Sequence, residues 1–269
     1  MMTAPMILGV ESVILCEGYD DQQFWAELLQ GRLGFRDPRK EGAVDPFGKA
    51  IPKAQHGHIA PGGHFVRVVS CGSREKVFEA LAPQLERRKK DPLRRLVVSV
   101  DCDAIEPARV ADSMTSIRDA TLDRARRADS ALKESPDGAF LLDGGATTVS
   151  TIAWWCDDDS SDLPRKQTLE RLVCAALREA HPARAAAVHT WLQARPDPPF
   201  SVTKEGVVPE RRLSLEPKEH AHSHFAGWFA EHGSGFFFRA VWQDDAVAAA
   251  LTARLRKTGA WRAIESLGA

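Results

Sequence analysis

Two short groups of carboxylates follow apolar runs in the N-terminal half of the chain. Residues 13–16 precede the sequence Glu-Gly-Tyr-Asp-Asp at 17–21, and residues 96–100 precede Asp-Cys-Asp at 101–103. Both runs are typical of strands, and open α/β sheets build their sites at the carboxyl ends of strands. Together the two groups predict one acidic cluster that holds a hard cation such as Mg²⁺, which prefers oxygen ligands.

The second group contains two acids at positions i and i+2, Asp101 and Asp103. Residues two apart in an extended strand point to the same side of the sheet. We therefore expect both carboxylates to face one site. Acids this close repel each other by about 4 kcal/mol per pair at about 4 Å and an effective dielectric of about 20, so a bound cation should stabilise the fold.

The elements that position these acids alternate along the chain. Apolar and β-branched runs predict strands at 12–16, 65–70, 96–100 and 139–142. Helical spacing predicts helices after Asp20, after Ser73 and over 108–133. This order predicts an α/β fold, a Rossmann-like parallel sheet flanked by helices. Residues 36–63 predict a long loop that either gates the site or is disordered.

The second half of the chain has a different character. A strand-like segment at 147–155 leads into an acidic loop at 157–162, and a Pro-rich connector is predicted at 195–217. Helices are predicted near 165–180, 183–194, 218–231, 244–257 and 259–267. We therefore divide the chain into a core over 1–145 and a mainly helical C-terminal elaboration over 146–269.

Composition narrows the class of protein. The 269 residues carry a formal net charge of −1, so no global basic field favours nucleic acid, although a local patch would suffice. The five cysteines have no paired spacing, which favours reduced thiols and a cytoplasmic protein. The sequence shows neither a signal peptide nor an apolar stretch long enough to span a membrane.

The order of the two acidic motifs resembles the Toprim domain, which primases, topoisomerases, recombination-repair proteins and OLD-family nucleases share. Its signature is a strand ending in Glu-Gly and a later strand ending in Asp-x-Asp, and residues 17–21 fit the primase form Glu-Gly-Tyr-x-Asp. The resemblance covers roughly residues 10–145. A looser likeness to small stand-alone bacterial Toprim-like proteins involves residues 168–172, 226–228 and 236–242.

The resemblance implies roles for five acids. Glu17 would be the general acid/base or a metal-bound carboxylate, and Asp101 and Asp103 would hold one or two Mg²⁺ or Mn²⁺ ions. Asp21 would add a ligand or orient one. Glu170 would be an additional metal ligand, or alternatively a surface acid near a helix N-terminus, where the helix dipole favours it.

Two other groups of residues have either a phosphate-binding role or a purely structural one. Gly18 would let the backbone turn sharply and leave room for phosphate, and Ser73, Arg74 and Lys76 open a helix that either holds phosphate or is simply capped. The basic residues at 87–90, with Arg94 and Arg95, favour a solvated helix end. The histidines at 220, 222 and 224, and those at 56 and 58, do not favour a zinc site.

The function that these features favour is Mg²⁺-dependent phosphoryl transfer on nucleic acid by a nuclease, with DNA favoured over RNA. The resemblance also implies a role in defence against phage and an ATPase as a protein partner; it leaves the oligomeric state open. The alternatives are a non-catalytic Toprim module that regulates assembly and a primase-like nucleotidyl transferase. The one tyrosine, Tyr19, lies in the Glu-Gly-Tyr turn and argues against covalent tyrosyl chemistry.

Overall fold

The computed structural model describes residues 11–38, 44–46, 48–51, 55–194, 224–225, 227–228 and 234–268. Within these ranges one seven-stranded sheet has the order β2-β3-β1-β4-β7-β6-β5. The strands are β1 (Glu11–Cys16), β2 (Gln55–Ile59), β3 (Phe65–Ser70), β4 (Leu93–Asp101), β5 (Lys133–Glu134), β6 (Phe140–Leu142) and β7 (Thr147–Trp154). The α/β fold class that the sequence predicts is confirmed.

The centre of the sheet is parallel, as the apolar runs predict, and its edges are not. Strands β3, β1, β4 and β7 are mutually parallel. The parallel prediction is wrong for 139–142, because β6 runs antiparallel to β7 after a short connection. The loop predicted over 36–63 is also wrong in part, because β2 lies within it and pairs antiparallel with β3.

Helices cover both faces of the sheet. They are α1 (Tyr19–Gly31), α2 (Arg74–Arg87), α3 (Val110–Ala128), α4 (Leu169–Ala180), α5 (Pro182–Ala194), α6 (Ser234–Gln243), α7 (Asp245–Lys257) and α8 (Ala260–Ser266). Alternate residues of β1 serve the two faces: Val13 and Leu15 pack with α2 and α3, whereas Ile14 and Cys16 pack with α1, α4 and the C-terminal helices. Burial on both faces is the reason that the central strands read as continuous apolar runs.

Strand β7 lies between β4 and β6, although the sequence assigns it to the C-terminal part of the chain. Its residues 148–154 pair with residues 95–101 of β4. The segment after 145 is mainly helical, as predicted, and it also supplies a central strand and the helices of one face. The two parts of the chain therefore share one sheet.

Several charged segments form ion pairs within the fold. The prediction of a solvated helix end at 87–90 is wrong for two arginines: Arg87 pairs with Glu11, and the buried Arg88 pairs with Asp143 at 2.7 Å. In the acidic loop, Asp162 pairs with Arg178 at 3.0 Å. Such contacts tie connecting segments to the helices.

Two remaining expectations concern membrane spans and the C-terminal histidines. The described helices include none that is both long and apolar enough to cross a bilayer. His220 and His222 lie outside the described residues, and His224 is buried.

Candidate functional site

The two acidic motifs meet at the carboxyl ends of β1 and β4. These strands are parallel neighbours with Cys16 opposite Ser99, so the residues that follow them emerge at the same end of the sheet. The backbone N–H of Asp101 donates a hydrogen bond to Oε1 of Glu17 at 2.8 Å. The backbone carbonyl of Glu17 accepts a second bond, at 2.6 Å, from the N–H of Gly72. Glu17 is therefore held by both neighbouring chain segments.

Glycine is favoured at position 18 by a close approach to the Asp21 side chain. The chain bends at Gly18 between β1 and α1, as predicted, but Gly18 has an extended backbone with φ of −119° that any residue can adopt. A Cβ atom there would lie 3.2 Å from Oδ2 of Asp21. That same oxygen accepts a hydrogen bond from the Gly18 N–H at 3.1 Å. The small residue thus lets the Asp21 carboxylate fold back on the start of α1.

Asp21 is a buried acid, and only one of its two carboxylate oxygens has a hydrogen-bond partner among the described residues. Its Oδ2 receives the Gly18 N–H, but its buried Oδ1 has no hydrogen-bond partner among the described residues. Burial raises the pKa of Asp21 well above its ordinary value, and the negative charges of Glu170 and Glu17 raise it further. An unsatisfied buried carboxylate oxygen is costly unless a proton or a cation meets it.

Asp101 faces the start of α4. Its Oδ1 accepts a hydrogen bond at 2.9 Å from the backbone N–H of Leu169, the first residue of that helix. Burial is the main reason that the pKa of Asp101 is well above its ordinary value, and Glu170, Asp21 and Glu17 add repulsion. The half-buried Glu170 therefore lies within electrostatic range of the acids at 21 and 101.

Glu17 has acidic and cationic neighbours that shift its pKa in opposite directions. Burial raises its pKa, the hydrogen bond from the Asp101 N–H lowers it, and the charge of Asp103 raises it again. The cationic side chains of Arg74 and Lys166 act in the opposite direction. The net result is a pKa above the ordinary value of a glutamate, the direction required of a general base near neutral pH.

Asp103 does not follow the strand alternation expected from the Asp-x-Asp spacing. Strand β4 ends at Asp101, and Asp103 has a left-handed backbone with φ of 64°, a conformation that aspartate tolerates better than most residues. Its carboxylate lies between two cations: Oδ1 is 2.6 Å from Nζ of Lys166, and Oδ2 is 3.4 Å from Nη1 of Arg74. Asp103 thus lies between the acidic cluster and the two cations Arg74 and Lys166, which we call the basic rim.

The donor set fits a hard divalent cation in its chemistry. Glu17, Asp21, Asp101 and Glu170 offer only carboxylate oxygens, the ligands that Mg²⁺ and Mn²⁺ prefer, and Oδ1 of Asp21 is buried without a partner among the described residues. As they stand, however, no three His, Cys, Asp or Glu side chains of the described ranges form a ready metal site. Three of the carboxylates each accept a backbone N–H instead, which leaves their second oxygen outside that bond.

The predicted phosphate-binding residues at the start of α2 differ in their contacts. Ser73 caps the helix, because its side chain accepts the N–H of Lys76 at 3.4 Å. Arg74 contacts Asp103, and the Lys76 side chain is exposed. A cleft of about 690 Å³ opens beside this point, and it is lined by Arg74, Asp103, Arg109, Ser113 and Ser116 together with the Phe78 ring.

Two site residues were not predicted, Lys166 and Gln167. The carbonyl of Gln167 accepts the Asp103 N–H at 2.8 Å, and its side-chain Oε1 accepts the Cys156 N–H at 2.8 Å, so Gln167 holds Asp103 in its left-handed conformation. Asp103, the partner of both residues, lies more than 60 positions earlier in the chain, so no local pattern in the sequence marks either of them.

Comparisons with known proteins describe the fold only. No family model matches the chain, and no curated protein matches it. The chain is similar in structure to a hypothetical protein from Pyrococcus horikoshii OT3, with a TM-score of 0.63 and 14% sequence identity over 96% of this chain and 99% of that one. At this identity the likeness extends to the fold and not to an activity.

Proposed function

We propose that this protein is a Mg²⁺- or Mn²⁺-dependent phosphoryl-transfer enzyme of the Toprim type that cleaves nucleic acid, with DNA as the favoured substrate. One observation carries the proposal: the acids at 17, 21, 101 and 170 repel one another at one end of the sheet, and burial raises the pKa of three of them. Such clusters of perturbed acids are more common at functional sites than elsewhere.

The fit between this cluster and a divalent cation rests on its oxygen chemistry. Asp21, Asp101 and Glu170 would hold the metal. Asp103, which is paired with Lys166 and Arg74, would lie beside it. When bound, the ion would neutralise the phosphate and lower the pKa of an attacking water. The cation would also meet the buried Oδ1 of Asp21, which has no protein partner among the described residues.

Glu17 is the candidate proton-transfer residue. Its Oε1 is held by the Asp101 N–H, so its second oxygen has a fixed direction from which to accept a proton from water or from a hydroxyl. Its raised pKa places it nearer to neutral pH, where a general base is most effective. The same residue can return the proton to the leaving oxygen.

Substrate binding is assigned to the basic rim and to the cleft beside it. Arg74 and Lys166 flank Asp103 with 31% and 25% of their side chains exposed, so both can contact a phosphate while they remain paired. The cleft adds Arg109 and the hydroxyls of Ser113 and Ser116. Cationic and hydroxyl groups of this kind position a phosphate backbone without reading its sequence.

The test is cleavage of plasmid, linear duplex, single-stranded DNA and RNA by the wild type in Mg²⁺, in Mn²⁺ and in a chelator. We expect Glu17→Gln and Asp101→Asn to lose at least about 100-fold of the metal-dependent activity, whereas the exposed Asp123→Asn on α3 should keep it. Wild-type cleavage that both site variants retain would refute the assignment.

A second candidate function is a non-catalytic Toprim module that acts in assembly, and the lack of a ready three-ligand metal site in the described ranges favours it. Under this alternative neither metal stabilises the wild type.

A phage-defence role and a partner ATPase belong to the first proposal, as does a cytoplasmic setting, which suits the five free cysteines. Mass spectrometry of complexes purified from cells would reveal such a partner.

A further inference from the structure

A second polar cavity of about 720 Å³ lies far from the acidic cluster, between the sheet and α8. Its sheet wall includes Arg95 in the first part of β4 and Thr148 and Ser150 of β7. Arg95 precedes Asp101 by six positions in the same strand, which corresponds to about 20 Å at about 3.3 Å per residue. The cavity is therefore separate from the candidate catalytic site.

The sheet wall of this cavity contains a half-buried cation. Arg95 pairs in register with Thr148 and lies on the same sheet face as Val97, the face that the C-terminal helices cover. Its Nη1 atom is buried and has no hydrogen-bond partner among the described residues. Burial and the neighbouring Arg94 lower the pKa of Arg95, so its charge is poorly compensated. A half-buried guanidinium with an unpartnered Nη1 favours an anionic ligand.

Two further arginines line the same cavity, Arg256 and Arg262, and both are exposed. The Arg256 guanidinium lies over the Trp261 ring, 5.7 Å from its centroid, which holds it in place. Two acids, Asp137 and Glu265, also line the cavity, so its three arginines outnumber the carboxylates by one, and each acid accepts a hydrogen bond from a neighbouring side chain. Ser135 donates to Asp137, and the indole N–H of Trp261 donates to Glu265.

We propose that this cavity binds a small phosphate ester, an anion the size of a mononucleotide. The planar guanidinium group matches two phosphate oxygens at once, which distinguishes phosphate from a spherical anion. The cavity volume lies in the range of small-molecule sites, about 300–1,000 Å³, and exceeds what a bare phosphate fills. The hydroxyls of Thr148 and Ser150 would contact the rest of the ester. This inference does not depend on the proposed nuclease activity.

The test is isothermal titration and thermal denaturation of the full chain in a chelator, with inorganic phosphate and adenosine 5′-monophosphate as probes. A short oligonucleotide without terminal phosphate is the third probe. We expect the monophosphate to bind more tightly than phosphate and to raise the melting temperature. Arg95→Met should weaken its affinity at least about tenfold, since a hydrogen bond to a charged group is lost. The exposed Arg262→Gln should weaken it as well without affecting the fold.

The matched control is Arg127→Met, which removes an exposed arginine from α3, outside the cavity. Its affinity for the monophosphate should equal that of the wild type. Absence of binding by either small probe overturns the proposal, and so does equal weakening in Arg262→Gln and Arg127→Met. Arg95-dependent binding of the oligonucleotide alone overturns it as well, because the ligand would then be a nucleic-acid backbone.

Discussion

Glu17 and Asp101, which are 84 positions apart, are joined by a hydrogen bond of 2.8 Å from the backbone N–H of Asp101 to Oε1 of Glu17. The bond links the two acidic motifs directly and fixes the direction of the Glu17 carboxylate. It also means that Glu17 has a structural role besides any chemical one. A substitution that keeps the acceptor can therefore separate the two roles.

The first prediction compares Glu17→Gln with Glu17→Ala. Glutamine keeps a carbonyl oxygen for the Asp101 N–H, so we expect its free energy of unfolding in a chelator to match or exceed that of the wild type. Alanine leaves the part-buried N–H without this acceptor and should lose about 1 kcal/mol. Urea denaturation measures both values. Equal stability of the two variants would show that the bond does not stabilise the fold.

The second prediction concerns pH and the acids Asp21 and Asp101. Their pKa values are raised in the folded state, so the folded protein binds their protons more tightly than the unfolded chain does. Their contribution to stability is therefore fully present below the unfolded pKa of about 3.9 and is lost as pH rises through the folded pKa values. In a chelator, Asp21→Asn should gain stability over the wild type as pH rises above about 4.

Denaturation of the wild type and Asp21→Asn at several pH values, with Asp123→Asn as the matched control, measures this effect. The control acid is exposed on α3, so its curve should follow the wild type throughout. Parallel curves for Asp21→Asn and the wild type would contradict the raised pKa of Asp21.

The third prediction concerns stabilisation by metal. A ligand that binds only the folded state adds about 2.7 kcal/mol at a concentration of about 100 times its Kd. We expect Mg²⁺ or Mn²⁺ to raise the melting temperature of the wild type, and Asp21→Asn and Asp101→Asn to lose most of that increase. Calorimetry with and without metal makes the comparison, and Asp123→Asn should respond as the wild type does. An increase that is equal in all four proteins would place the metal elsewhere.

The sequence predicted the fold class because the central strands carry their signal locally. The apolar runs at 13–16 and 96–100 are buried on both faces, and such runs are typical of parallel strands. Strand order and edge strands were harder to predict. The place of β7 beside β4 depends on pairing between distant segments, and β2 contains glycine and two histidines, which carry little strand signal.

The candidate site was predictable to the same extent. Glu17 and Asp101 follow from strand ends, because parallel neighbours bring their carboxyl ends together. The conformation of Asp103 was not predictable from the Asp-x-Asp spacing, since it depends on Gln167 and Lys166, more than 60 positions away. Long-range contacts of this kind leave no periodic signal in the sequence.

The final prediction concerns Lys166, whose Nζ lies 2.6 Å from Oδ1 of Asp103. If the basic rim contacts the nucleic-acid backbone, Lys166→Met should weaken duplex binding and reduce the slope of log K against log salt by about 0.9, the value for one phosphate contact. Arg165→Met removes the adjacent exposed cation and is the matched control. Fluorescence anisotropy in a chelator, over a series of salt concentrations, measures both slopes without cleavage. The same slope in Lys166→Met and the wild type would mean that Lys166 only neutralises Asp103.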